Sequence, residues 1–521
     1  MGHHPQALFS LIPSNQRTYQ VLEYSENKHL VALHDDGRAG LDVGHMHSKS
    51  GSTTTLATLG RDGDIIVKGP SISKIQCSFE INSSTNVVMF YDRSHTQTSR
   101  VYGDDARTVP FEYPRPRKVV VQQNLNCYIG FGGEKRDQFQ FELKWYQDAE
   151  ATIDKAKIRG GTSLVENPNL AETIDEAETV VPSKRETRLH TKGEPKSQKI
   201  RWAQVNRLGT GQYGQVLKVV NVDTGNLLAV KILKLPSAEA VTESRRAKWR
   251  KEIDNLANAK HKHIVQYIAT QNYENDAPEI FMELREGTLV SFMDEVEPSL
   301  RPEGVATACD HILQAIDFLA VRKIIHRDIK PQNILYYMES GLCQFQLCDF
   351  GLSTTEAEAS GCAGSQLYMA PEIWKGGKQT HKADVWSLFV TLLWMTGRED
   401  VRTLLESKLV WDDQYDSVLE LAWSEDSVSH ILEMGSIEPQ ERASAAQMLR
   451  KCYSSRGLST PQNQVPPLKR IKPPRPLTPL GTLGAQSGPP DDSRSQPNTP
   501  RNRTESTLSY ARHGSTPATQ S

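Results

Sequence analysis

The sequence predicts a multidomain chain: an N-terminal all-β sandwich, an α+β domain after it and a disordered tail. Three observations carry that prediction. From Leu8 to about Trp145, short β-like runs alternate with turns, with little helical periodicity. From Trp202 to about Tyr453, strand-like runs are followed by longer helical ones. Beyond Tyr453 the chain turns rich in Pro, Ser, Thr and Gln and loses apolar periodicity. The resulting division is a sandwich over 7–147, a linker over 148–198, an α+β domain over 199–453 and a tail over 454–521.

The totals exclude several classes. A net charge of −2 over 521 residues argues against a bulk electrostatic nucleic-acid binder. Seven scattered cysteines without a C-x-x-C pair point to a reduced intracellular protein lacking a structural zinc site. No run approaches the ~18 apolar residues of a membrane span, and residues 1–10 lack a signal pattern. The expectation is a soluble protein of nucleus or cytoplasm, with no membrane and no direct nucleic-acid partner.

In the first segment the clearest strands are 65–67, 86–91, 118–121 and 138–143. Arg61 precedes one of them, and Ser73 and Lys74 follow on a nearby turn. An arginine with a serine or lysine on neighbouring loops can grip a phosphate by charge-assisted hydrogen bonds. On these residues the segment resembles a forkhead-associated (FHA) domain, a β-sandwich that binds phosphothreonine peptides. The resemblance implies a phosphopeptide site at Arg61, Ser73 and Lys74. Two positions depart from the family pattern: Gln76 stands where a histidine is usual, and Thr96 where an asparagine is usual. The other reading is a sandwich that packs on the rest of the chain, or on a partner, without reading phosphate.

Residues 148–198 are dominated by Ala, Glu, Lys and Thr and read as a solvated linker with room for a short helix. Thr152, Thr173 and Thr179 are its candidate phosphorylation sites.

In the α+β domain, 208–216 has the pattern G-x-G-x-x-G-x-V, followed by strand-like runs 215–220 and 227–232. A glycine loop between two strands makes a lid whose backbone can lie over phosphates. A Walker loop is excluded, because no Gly-Lys-Ser/Thr follows. The stretch Ile324-Ile325-His326-Arg327-Asp328-Ile329-Lys330-Pro331-Gln332-Asn333 sets a carboxylate, an ammonium and an amide at i, i+2 and i+5. A carboxylate can take a hydroxyl proton, an ammonium can neutralise phosphate, and an amide oxygen can hold a divalent cation. Alone, such a loop also reads as a charged surface turn.

Taken in order with Asp349-Phe350-Gly351 and Ala370-Pro371-Glu372, these pieces resemble a serine/threonine protein kinase of bilobal α+β fold. The resemblance implies ATP and Mg2+ as substrate and cofactor, and protein Ser/Thr hydroxyls as acceptors. It assigns catalysis to Asp328 and Lys330 and metal binding to Asn333 and Asp349. ATP binding falls to Leu208, Gly209, Gly211, Gly214, Val216, Ala229, Lys231, Glu252, Met282 and Glu283. Glu372 is expected to pair with Arg442. Thr354, Thr355 and Ser360 are the expected phosphosites of a polar, flexible activation segment over 352–367, and Ser365 is expected to line the substrate site. Phe389 stands where the family has a small glycine. An FHA-like module joined to such a kinase is similar in layout to the DNA-damage checkpoint kinases. In the tail, basic residues cluster over 469–475 and four Thr-Pro pairs occur, including Thr460-Pro461.

Overall fold

A computed structural model describes residues 2–103, 107–133, 138–161, 199–211, 214–233, 243–273, 277–406 and 411–469. Its first strands are β1 (Phe9–Pro13), β2 (Val31–Leu33), β3 (Ala39–Val43), β4 (Thr55–Gly60), β5 (Ile65–Ile66) and β6 (Cys77–Ile81). They continue with β7 (Val88–Asp92), β8 (Arg100–Tyr102), β9 (Lys118–Val120), β10 (Tyr128–Phe131) and β11 (Phe139–Trp145). Two sheets result, ordered β2-β3-β1-β11-β10-β8 and β5-β4-β6-β7-β9. The reason is legible in β11, where Phe139, Phe141 and Leu143 turn inward and the intervening residues outward. The inward faces meet in a core that includes Phe9, Phe79, Phe90 and Phe131. A helix the pattern did not announce, α1 (Gln16–Glu23), enters through a capping box at Asn15.

Gln76 has a structural role in the sandwich. The side chain is fully buried and accepts from Ser73 N at 3.1 Å while its amide donates to Thr98 Oγ1 at 3.0 Å. A neutral amide thus ties two loops together.

The expected linker opens with a packed helix, α2 (Ala149–Gly161). Its Glu150 accepts from Asn206 at 2.6 Å and Lys218 at 2.7 Å. Thr152 on this helix is buried, whereas Thr173 and Thr179 lie outside the described residues.

The second ordered part begins with a sheet of β12 (Trp202–Gly211), β13 (Gly214–Asn221), β14 (Leu227–Leu233), β15 (Tyr267–Gln271) and β16 (Glu279–Glu283), ordered β12-β13-β14-β16-β15. Helix α3 (Glu243–Asn258) precedes β15. A helical part follows, with α4 (Leu289–Glu295), α5 (Arg301–Val321), α6 (Pro371–Trp374) and α7 (His381–Met395) among its helices. The helical stretch 298–321 is long enough, and over 18 of its residues apolar enough, to cross a membrane by composition, yet 78% of those 18 residues are buried, as befits a core helix.

The sandwich and this sheet share a core. Val220, near the end of β13, and Val222, in the turn that follows, are fully buried among the sandwich residues. Val120 N donates to Val222 O at 2.8 Å, and Asn82 and Thr85 donate to Thr224 O and Gly225 O. Asp223 in the same turn pairs with Arg115 at 2.6 Å and also with Arg201.

Two expectations need correction. Residues 454–469, expected to be disordered, pack on the helical part, because α5 presents polar side chains that this segment satisfies. The activation segment is not loose at its start: Thr354–Thr355 is a strand paired with Ile324–Ile325. Residues 470–521 lie outside the described residues.

Candidate active site

β12 and β13 form the hairpin carrying the glycine loop, with Gly211 opposite Gly214 and the tip, 212–213, outside the described residues. Gly214 has φ +144°, and a β-carbon there would overlap the carbonyl of Ile232 on β14, so only glycine lets the strands close. Register puts Gly209 opposite Val216, Val216 opposite Lys231 and Ala229 opposite Met282. Leu208, Val216, Ala229 and Met282 thus sit on four neighbouring strands. Leu208 is half exposed, whereas Ala229 and Met282 are buried. Glu283 ends β16, and its carboxylate takes an ion pair from Arg285.

Lys231 is buried and lies between two carboxylates, with Nζ 2.6 Å from Glu252 Oε1 on α3 and 2.6 Å from Asp349 Oδ1. Burial opposes its charge, but the two carboxylates more than compensate and raise its pKa above the ordinary lysine value. Burial likewise pushes the Glu252 carboxyl up against the pull of Lys231. At Asp349 burial also opposes charge, but the Lys231 ammonium prevails and holds its carboxyl below the usual range. Two anions around one cation leave the cluster a net negative charge, which suits a divalent cation.

The 326–333 loop is held from beneath. Thr380 caps α7, and the buried carboxylate of Asp384 in its first turn accepts from His326 N at 2.8 Å and Arg327 N at 2.9 Å. Arg327 and Asp349 both have left-handed backbone, φ +68° and +62°, which costs energy in residues bearing a β-carbon. His326 is fully buried, with its ring edge-on to that of Phe350 at 4.9 Å.

Asp328 is the focus of the loop. Its Oδ2 accepts from Lys330 Nζ at 2.8 Å and Asn333 Nδ2 at 2.8 Å. Its Oδ1 accepts from Ser365 N at 3.0 Å and Ser365 Oγ at 2.8 Å. Lys330 also donates to Ser365 Oγ at 2.7 Å. Asn333 O accepts from Cys348 N at 2.9 Å, which brings Asn333 beside Asp349. The described hydrogen bonds of Asp349 use Oδ1, and those of the Asn333 side chain use Nδ2. One carboxylate oxygen and one amide oxygen therefore remain. This donor set fits Mg2+, which takes few protein ligands and completes its shell with water and phosphate oxygens. Among the described residues no group of three or more His, Cys, Asp or Glu could hold a metal.

Glu372 and Arg442 form a buried bidentate pair, at 2.7 and 2.9 Å. The three expected phosphosites fare differently. Thr354 is only 4% exposed and accepts from Lys251 Nζ at 2.8 Å, so a modifying enzyme cannot reach its hydroxyl in this arrangement. Thr355 is half-buried and donates to Glu358 at 3.0 Å, whereas Ser360 is exposed. Lys251, which also pairs with Glu358, ties α3 to the activation segment. Sequence reasoning missed that tie, and its signal is a lysine one position before Glu252 on a mostly polar helix.

On the sandwich, Arg61 and Lys74 are exposed and Ser73 is half-buried. Their loops are stitched by backbone bonds, Arg61 N to Ser73 O at 3.1 Å and Asp62 N to Lys74 O at 3.0 Å. Thr96 is exposed on the adjoining loop.

Residues 202–454 match the family model described as the protein kinase domain. Serine/threonine-protein kinase 10 of Mus musculus is 30% identical over 271 residues, covering 49% of this chain and 27% of that protein. Serine/threonine-protein kinase dst1 of Dictyostelium discoideum is 30% identical over 265 residues, covering 47% of this chain and 33% of that protein. The chain spans about a third or less of the length of these curated relatives. Residues 202–454 therefore match the protein kinase domain and resemble the corresponding part of serine/threonine-protein kinases.

Proposed function

We propose that this chain transfers the γ-phosphoryl group of ATP to serine and threonine hydroxyls of protein substrates. The observation that carries the reading is the convergence on Asp328 of Lys330, Asn333 and Ser365, all within 3.0 Å. In this reading Asp328 aligns the acceptor hydroxyl and takes its proton, and Lys330 neutralises charge growing on the transferred group. Lys231, held by Glu252, pairs with the α- and β-phosphates, while the glycine-loop backbone from Gly209 to Gly214 covers them. Leu208, Val216, Ala229 and Met282 sandwich the adenine, and the backbone near Glu283 hydrogen-bonds its edge. Mg2+ held by Asn333 and Asp349 supplies positive charge to the phosphate oxygens. Ser365 lines the acceptor side, and Thr355 and Ser360 are the segment's modification sites.

The test is phosphate transfer from labelled ATP to a generic basic protein, comparing wild type with Asp349→Ala. Activity in wild type and its loss in the variant supports the reading. No transfer from either, even after pre-incubation with ATP and Mg2+ and with acidic residues at Thr355 and Ser360, favours a scaffold with an idle kinase fold.

A second reading concerns the sandwich. We propose that it docks phosphothreonine partners through Arg61, Ser73 and Lys74, supported by the backbone stitching that sets these residues side by side. The combined layout, similar to that of the DNA-damage checkpoint kinases, supports a signalling role in nucleus or cytoplasm. Binding of a phosphothreonine peptide that is lost on Arg61→Ala tests the docking half.

A further inference from the structure

Helix α5 carries Asp310, Gln314 and Asp317 along one face, at i, i+4 and i+7, on an otherwise largely apolar buried helix. All three meet residues 454–469, which run back along the helical part as a strap. Arg456 pairs with Asp310, and Gln314 Nε2 donates to Asp310 Oδ1 at 3.0 Å. Gly457, at φ +64°, lies so close that a β-carbon would overlap the Gln314 amide. Asp317 is 1% exposed and accepts from Ser459 N at 2.7 Å, Thr460 N at 2.9 Å and Thr460 Oγ1 at 2.6 Å. Among the described residues, its hydrogen bonds come from the strap alone. Further on, Val465 is buried, Gln447 Nε2 donates to Pro467 O at 2.9 Å, and Lys469 pairs with Glu441. Beside the strap lies a cleft of about 590 Å³ whose lining includes Asp317, Lys323, Lys382, Arg442, Pro461 and Lys469.

Thr460 therefore closes the clamp with its hydroxyl proton, and Pro461 follows it in the chain. We propose that Thr460 is a modification site for a proline-directed protein kinase, and that phosphate there releases the strap from α5 and opens the cleft. In the transfer, Thr460 Oγ attacks the γ-phosphorus of ATP held by that kinase. The bond from the γ-phosphorus to the β,γ-bridging oxygen breaks, ADP leaves, and the hydroxyl proton passes to that kinase's base. Local opening of so short a segment gives access to the hydroxyl. Afterwards the oxygen has no proton to donate, and close to two negative charges face the buried Asp317 carboxylate. Like charges at hydrogen-bond distance exclude the closed arrangement.

The experiment is hydrogen exchange of the strap amides in the full chain, comparing wild type, Thr460→Glu, Thr460→Val and Thr460→Glu with Asp317→Asn. A second arm treats wild type with a proline-directed kinase and ATP and locates phosphate by mass spectrometry. Thr460→Val removes the hydrogen bond without adding charge, and should speed exchange less than about threefold. Thr460→Glu should speed it at least tenfold, and Asp317→Asn should return it to near the Val value, because charge repulsion is the cause. The proposal is overturned if Thr460→Glu behaves like Thr460→Val, if Asp317→Asn leaves the acidic effect intact, or if Thr460 takes up no phosphate.

Discussion

The cleft around Asp328 and the loops around Arg61 both gather cations suited to phosphate, but they are held in opposite ways. In the cleft the charged groups hold one another: Lys231 bridges Glu252 and Asp349, and Lys330 and Asn333 both bind Asp328. On the sandwich, main-chain bonds position the loops, and Arg61 and Lys74 stand exposed. Site and scaffold are therefore the same atoms in the first case and different atoms in the second. Substitutions should damage function and stability together in the cleft, and function alone on the sandwich.

The largest expected effect is on chemistry. Asp328→Asn keeps size and can keep the bonds from Ser365 on Oδ1, but it removes the charge and the group that takes the proton. The rate constant of phosphate transfer should fall on the order of 10²–10⁴-fold, read from steady-state kinetics with labelled ATP. A loss below tenfold would mean that Asp328 only positions its neighbours. Next comes Lys231→Met, which leaves two carboxylates without their shared cation. It should abolish transfer and cost about 3 kcal/mol of stability, read as a lower urea midpoint at unchanged slope. Adding Glu252→Gln should recover part of the stability and none of the activity. If stability does not move, the cleft is no more interlocked than the sandwich loops.

A smaller effect should appear with pH. His263 and His311 stack at 4.0 Å behind the cleft, His263 against Phe345 O and His311 against Phe345 N. Burial is the main cause that lowers His263 to about 3, His311 to about 4 and the nearby His261 to about 4. Lys262, Arg322 and Arg456 add to the lowering, while Asp317 opposes it at His261. A folded pKa below the unfolded 6.5 means that the unfolded chain binds protons first as pH drops. The contribution is therefore fully present above pH 6.5 and is lost as pH falls from there to about 4 for His261 and His311 and about 3 for His263. Discounted for partial exposure, the loss is about 1 kcal/mol per histidine by pH 5. Urea midpoints between pH 7 and 5 should show it, and His311→Phe should flatten the slope.

How much of this was legible in the sequence follows from the same contrast. The resemblance to protein kinases, carried by motifs in a fixed order, pointed to Lys231, Glu252, Asp328, Asn333 and Asp349, and the structure brings them together. What stayed hidden depends on contacts distant in sequence. The burial of Thr354 follows from a two-residue pairing with Ile325, too short to leave a periodic signal. Phe389, which the sequence flags as crowding, has its ring against Gly435, where a β-carbon would lie 2.5 Å from its Cε1. The space missing at one position is provided at the other, and only the fold reveals the pairing. The ordered strap over 454–469 was hidden for a different reason: its composition is that of a disordered tail, and its partners lie on α5. The trace it leaves is the polar row Asp310, Gln314 and Asp317 on a helix that should have been apolar there.

The smallest expected effect on stability is also the sharpest test of the contrast. Arg61→Ala removes an exposed guanidinium while leaving Arg61 N on Ser73 O, so unfolding should shift by no more than about 0.5 kcal/mol. A phosphothreonine peptide bound through that guanidinium would lose charge-assisted bonds worth about 1.5–3 kcal/mol, a roughly 10- to 100-fold weaker dissociation constant. Fluorescence anisotropy with a phosphorylated peptide and its unphosphorylated twin, on wild type and variant, measures the binding loss, and urea midpoints of the same two proteins measure the stability shift. Gln76 already spends its hydrogen bonds inside the sandwich, on Ser73, Thr98 and Ser99, so Gln76→Ala should show the reverse, a stability loss of more than 1 kcal/mol. Equal binding of both peptides by wild type would leave the sandwich as a docking module, and its attachment through Val220, Val222 and Asp223 to the strands behind the glycine loop would then be the part of it that matters to the kinase.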